Sequence, residues 1–196
     1  KACGVGNAKP GFAGYFNECM NGFEYQVAGH MIWEGMLTEG LAIARAVHDR
    51  YHPSRRNPWN EVECGDHYAR GLASWGVFTA LCGFEYHGPK GHIGFAPRIT
   101  PEDFKAAFTA AEGWGAFTQK REGNVQCERL EVRWGKLAVK TLAFEAVGDS
   151  RPTRVAVTLN GERMEADLQV EKRRLLIILL GRRTITAGQV VEVTLT

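Results

Sequence analysis

An α+β chain is expected, helical in its first part and β-rich in its second. Two observations carry this. Apolar residues recur at helical spacing between Phe23 and Phe84, whereas apolar and polar residues alternate from Val125 onward, the periods of a helix face and of a half-buried strand. A third is the Asn160-Gly161 pair between two alternating runs, the strongest local signal for a two-residue hairpin. The division expected is residues 1–123, helical, and residues 124–196, a small antiparallel sheet or one face of a sandwich.

The elements follow in order. The start of the chain is Gly-rich loop to Gly14. Val27, Met31 and Ile32 give a first helical face that breaks near Gly35. Leu41, Ile43, Ala44 and Val47 give a second, with Thr38-Glu39 at its start, so a helical hairpin is predicted. HPSRRN, from His52 to Asn57, is loop by its prolines. Leu72, Ala73, Gly76, Val77, Ala80, Leu81 and Phe84 trace a third face rich in small residues, a helix expected to pack on several sides. GPKGHIGFAP reads as loop, and TPED at Thr100–Asp103 as a capping box with Pro at the first helical position, opening a helix to about Ala111. The strands expected beyond are LEVRW, KLAVKTLAFEAV, RVAVTLNGERMEADLQV, RLLIILL and VVEVTLT.

Composition narrows the function. The 196 residues are 44% hydrophobic, as in a soluble globular protein, and no apolar run approaches a membrane span. Lys and Arg number 24 against 22 Asp and Glu, a net charge of +2 without a basic block, which argues against a nucleic-acid partner. Five cysteines without a CxxC pair fit neither a disulfide framework nor a zinc ribbon. The opening KACGVGNAKP reads as mid-protein loop, so a piece of a longer protein is expected, with cytoplasm and periplasm both open.

Chemistry concentrates in NPWNEVECGDHYAR, residues 57–70. Glu61 and Glu63 are two apart and point to opposite sides of an extended segment, a poor catalytic pair. Arg70, near the third helix, offers a planar fork for a carboxylate or vicinal hydroxyls. Trp59 and Tyr68 add flat amphipathic rings. Acid, fork and ring suit a pyranose, whose hydroxyls take bidentate partners and whose C–H face takes an aromatic platform. The bland alternative is a solvated cap, with Asp66 and His67 serving only the helix start. Glu63, Cys64, Asp66 and His67 have metal-binding donors without a recognised spacing, so no metal and no cofactor is expected. His30, His48, His52, His87 and His92 read as surface or satisfied core residues. Upstream, Glu24 is an N-terminal helix acid, and Glu18 lies in the loop before it.

The segments ECMNGFEYQVAGHMIWEG and RNPWNEVECGDHYARGLASW together resemble the C-terminal end of the catalytic region of glycoside hydrolase family 116, the non-lysosomal glucosylceramidases and bacterial β-glucosidases. The resemblance covers about residues 14–100. It implies an (α/α)6 toroid and hydrolysis with retention through a glutamate and an aspartate about 5 to 5.5 Å apart. Both reacting carboxylates belong upstream of this region, so no catalytic residue is assigned here, and the missing N-terminal part of the same enzyme is an implied partner. Glu18 matches a family glutamate in an ExWxG segment. Glu61 and Arg70 match a glutamate and an arginine nine positions apart that hold the sugar. Gly76 stands where better-known members carry a second arginine, and Met20 where they favour Trp, so glucose, xylose and N-acetylglucosamine all stay open. The expected substrate contacts are Glu18, Glu61, Arg70, Trp59 and His67, and the expected ligand is a β-glycoside. The competing reading is a non-catalytic carbohydrate-binding or structural protein on the same scaffold.

Overall fold

The computed structural model describes residues 19–55, 70–146 and 152–196. The chain divides into two compact units, residues 1–81 and 82–196. Among the described residues there are three α-helices and ten strands, which overturns the helical toroid. Helices cover only Asn21–Trp33 (α1), Leu37–Arg50 (α2) and Ser74–Cys82 (α3), and strands begin at Glu85. The β part is also larger than the small sheet expected.

The first unit contains the predicted helical hairpin. α1 ends in a Schellman motif: Gly35 takes φ +85°, its N–H donates to the Ile32 carbonyl at 3.1 Å, and the Met36 N–H reaches back to Met31 at 2.8 Å. A side-chain-free residue suits that left-handed position. α2 returns closely because Gly40 has no Cβ; one placed there would lie 2.7 Å from both the Ala28 carbonyl oxygen and Ile32 Cγ1. Arg50, at the end of α2, clasps Glu24 in the first turn of α1 with both guanidinium nitrogens, Nη1 donating at 3.1 Å. α3 adds Val77 and Ala80 to a core with Ala28 and Ile32. Gly29 sits against the Gly76 backbone, where a Cβ would be 3.3 Å from the carbonyl oxygen. Gly29 and Gly40 permit these close approaches, whereas nothing lies within 4 Å of a Cβ placed at Gly76 of the small-residue face read from the sequence, and Leu72, 89% exposed, lies outside the apolar face assigned to it.

The second unit consists of two sheets joined by one strand. Its elements are Glu85–His87 (β1), His92–Gly94 (β2), Asp103–Ala110 (β3), Gly113–Glu122 (β4), Val125–Glu145 (β5), Val155–Leu159 (β6), Glu162–Met164 (β7), Ala166–Glu171 (β8), Arg174–Thr186 (β9) and Val190–Leu195 (β10). One sheet runs β3, β4, the first half of β5, β10, β6, β7. The other runs β1, β2, the second half of β5, β9, β8. All pairings are antiparallel except β2 with β5. β5 was expected as two strands with Gly135 between them; it is one strand kinked there, with Gly135 at φ +71°. Twenty-one straight residues would span about 70 Å, yet Gln126 Nε2 donates to the Glu145 carbonyl at 2.9 Å, so the two ends of β5 come together.

Phenylalanines fill the space between the sheets. Phe117 of β4 stacks on Phe95 with centroids 3.9 Å apart and planes at 5°, and lies 6.0 Å from Phe144 on the second half of β5. Phe108 meets Phe95 edge-on at 6.0 Å. Leu175, Ile177, Leu179 and Ile185 of β9 are fully buried beside them, the inward positions of a period-2 strand.

Two local expectations change. TPED is a turn, not a helix start: Thr100 has φ +41° and its carbonyl accepts from the Asp103 N–H at 3.1 Å. β3 follows, with Phe104, Ala106 and Phe108 inward and Asp103, Lys105 and Ala107 outward. GPKGHIGFAP carries β2 and a single 3-10 turn, Gly88–Lys90, rather than loop throughout. The 123/124 boundary drawn from composition falls in the β4–β5 turn, at Gly123 with φ +57°. The Asn160-Gly161 hairpin forms as read: both residues have positive φ, and Leu159 pairs with Glu162.

Candidate functional site

Arg70 is the expected site residue that lies within the described chain. Glu18, Trp59, Glu61 and His67 fall outside the described residues, as do Glu63, Cys64 and Asp66 of the weighed metal set. Among the described residues no three His, Cys, Asp or Glu side chains gather as a metal site, and no helix is long and apolar enough to cross a membrane.

Arg70 immediately precedes a 3-10 turn, Gly71–Ala73, that leads into α3, and its carbonyl accepts from the Ala73 N–H at 2.9 Å. Its stem lies along the start of α1, which Gly22 permits: a Cβ there would sit 2.6 Å from Arg70 Cδ. The guanidinium carbon is 5.9 Å from the centroid of the Phe23 ring, within cation–π range. Gly22, Phe23, Gln26, Arg70 and Ala73 together line an open hollow of about 300 Å³, the small end of the range for small-molecule sites.

The hollow joins the two segments that carried the resemblance, residues 22–26 and 70–73, from opposite ends of the helical unit. Its chemistry is a planar cation, a carboxamide and an aromatic face, with Phe23 55% exposed. Asn21, one residue away, is 5% exposed and its Oδ1 has no hydrogen-bond partner, a buried acceptor at the head of α1. Phe23, Gln26 and Asn21 were not singled out from sequence. Helical spacing alone could have found Phe23 and Gln26, since i and i+3 share a face. Glu24, read as a helix-dipole acid, is committed to Arg50.

The histidines divide by context. His30 is exposed beside Glu34 at 3.6 Å, and the His48 and His52 rings are 6.5 Å apart edge-on. His87 Nδ1 accepts from the Lys90 N–H. His92 belongs to a polar chain unseen in the sequence: Nδ1 is 2.8 Å from Thr141 Oγ1 and Nε2 is 3.1 Å from Glu85 Oε2, while Arg174 donates to both Glu85 oxygens at 2.7 Å. Those Arg174 hydrogen bonds hold the Glu85 carboxyl below its ordinary range. The network ties β1, β2, β5 and β9 together.

No family model matches the sequence, and no curated protein matches it. Solved structures give distant likenesses. One is a GH127 β-L-arabinofuranosidase from Geobacillus stearothermophilus T6, at 16% identity and TM-score 0.37, covering 69% of this chain and 19% of the other. Another is an α-L-rhamnosidase from Dictyoglumus thermophilum, at 12% identity and TM-score 0.36, covering 70% and 16%. A third is described as a glycoside hydrolase, at 16% identity and TM-score 0.36, covering 65% and 19%. The chain spans less than a fifth of the length of each, and likeness at this level fixes no shared fold.

Proposed function

We propose that the chain is part of a retaining β-glycosidase related to family 116, a β-glucosidase-like or glucosylceramidase-like enzyme, and that it supplies sugar-gripping side chains rather than the reacting carboxylates. The observation that supports this is the meeting of the two resembling segments at one hollow, with the Arg70 guanidinium and the Phe23 ring on its wall. A fork that can hold vicinal hydroxyls and a ring that can take a C–H face are the groups a pyranose needs. Glu61, nine residues before Arg70, is the acid this reading adds to them. In the parent enzyme, removing one such charged contact costs about 2 to 4 kcal/mol of transition-state binding, because its partner is left unpaired.

The test uses the 196-residue chain and side-chain NMR with methyl β-glucoside, methyl β-xyloside and N-acetylglucosamine. Saturable shifts of the Arg70 and Phe23 resonances by one of these sugars, abolished in Arg70→Ala, are expected. Shifts by none of them, or shifts that persist in Arg70→Ala, refute the proposal. Hydrolysis of aryl β-glucosides by the chain alone is not expected, since the resemblance sets both reacting carboxylates upstream. Turnover by the purified chain would overturn that assignment of roles.

A further inference from the structure

At the closing ends of β5 lies a buried polar cluster. Gln119 and Arg121 from β4 and Gln126 and Glu128 from β5 share the inward face, with Gln119 opposite Glu128 and Arg121 opposite Gln126 in register. Gln119, Gln126 and Glu128 are 0%, 1% and 2% exposed. Gln126 Nε2 donates to Glu128 Oε1 at 2.5 Å and to the Glu145 carbonyl, and Gln119 Nε2 donates to the Pro101 carbonyl at 2.7 Å. Three oxygens are left without partners: Glu128 Oε2, Gln119 Oε1 and Gln126 Oε1. A carboxylate and two amide oxygens are all acceptors, and the one unpartnered donor among these four side chains is Arg121 Nε, so as an anion Glu128 leaves three orphaned acceptors against one orphaned donor in a dry site.

We infer that Glu128 is held as a neutral carboxylic acid whose Oε2–H donates across the strand pair to Gln119 Oε1, forming a proton-dependent latch between β4 and β5. The proton turns one orphaned acceptor into a donor and satisfies another with the same bond. Directly opposed residues in an antiparallel pair have side chains close enough for that contact.

The charges around the cluster do not replace the proton. Arg121 is the charged side chain that faces Glu128 from β4, but it does not reach ion-pairing distance; its Nη2 donates to the Glu145 carbonyl at 2.7 Å, and its own surroundings include Glu102, Glu145 and Arg173. From β10 the residues opposite Glu128 and Gln126 are Val193 and Leu195, both buried and apolar. Burial in these surroundings pushes the Glu128 carboxyl up from 4.5 to about 8, against the pull of Gln126 and Arg121. A group whose folded value is raised stabilises the fold fully below its unfolded value and loses that contribution as pH rises through the folded one. The window is therefore about pH 4.5 to about 8.

The experiment compares the wild-type chain with Glu128→Gln, whose amide can donate to Gln119 at every pH. The wild-type ratio of folded to unfolded chain is expected to fall by about tenfold per pH unit across that window relative to Glu128→Gln. Parallel pH profiles for the two proteins would overturn the inference. If the variant does not fold, infrared difference spectroscopy of the wild type with isotopically labelled glutamate decides. A labelled carboxylic-acid C=O band at pH 7 that disappears near pH 8 is expected, and its absence at pH 7 refutes the latch.

Discussion

Replacing Gly135 by Ala should be among the most damaging single-methyl additions in the β unit, and its cost can be built from parts. The residue sits at φ +71°, a left-handed conformation that costs an L-residue roughly 1 to 2 kcal/mol. A Cβ would also run into the Glu112 carbonyl oxygen and sit 2.9 Å from Gly113 Cα, so the backbone of β4 must retreat. That retreat strains the hydrogen bonds from the Lys136 N–H to the Glu112 carbonyl and from the Ala187 N–H to the Gly135 carbonyl, both 3.0 Å, each contributing about 1 kcal/mol. The sum is about 3 to 4 kcal/mol. Gly123→Ala is the matched control: it has a similar φ of +57°, but nothing lies within 4 Å of its Cβ position, so only the conformational part of about 1 to 2 kcal/mol applies. Urea unfolding followed by tryptophan fluorescence and circular dichroism measures both, provided the denaturant slopes agree. Equal losses in the two variants would falsify the close-approach argument and leave only the dihedral cost.

Two further outcomes are expected. Phe117→Ala should destabilise by about 3 to 5 kcal/mol, since Phe117 is fully buried and lies beside Phe104 of one sheet and Phe144 of the other; a loss under about 1 kcal/mol in urea unfolding would contradict a packed aromatic core. Arg174→Ala removes the partner that holds the Glu85 carboxyl down. The wild-type advantage should be present above about pH 4.5 and fade as pH falls below it, and it should stay near or below about 1 kcal/mol because both side chains are more than a third exposed. A pH-independent difference between the two proteins in urea midpoints from pH 6 to pH 3 would count against the ion pair.

The helical hairpin and the Asn160-Gly161 turn were legible because both are written in local terms. A break at Gly35 and an amide-glycine pair fix φ whatever surrounds them. Residues 100–111 were misread for a definite reason. Phe104 and Phe108 are four apart, a spacing that serves a helix face and a strand face equally, and TPED satisfies capping chemistry as well as turn chemistry. Ala106, midway between the two rings, carried the period-2 signal, but alanine is too small and too ready a helix former to announce a strand. Arg70 was visible as a binding group; spacing could pair Phe23 with Gln26 on one helix face but could not join them to Arg70, because that depends on which turn of α1 Arg70 meets. The Glu85, His92 and Arg174 network spans 89 residues, and nothing in its local sequence shows that those side chains meet.

The shared strand has a mechanical consequence. Because β5 belongs to both ladders, the sheets cannot slide or peel apart as independent plates; any crack in one must propagate through the kink into the other. The β unit should therefore open all at once, its amide protons guarded by a common barrier. An insertion near Gly135 would put that barrier at risk, whereas an insertion at the Asn160-Gly161 tip would leave the hinge untouched.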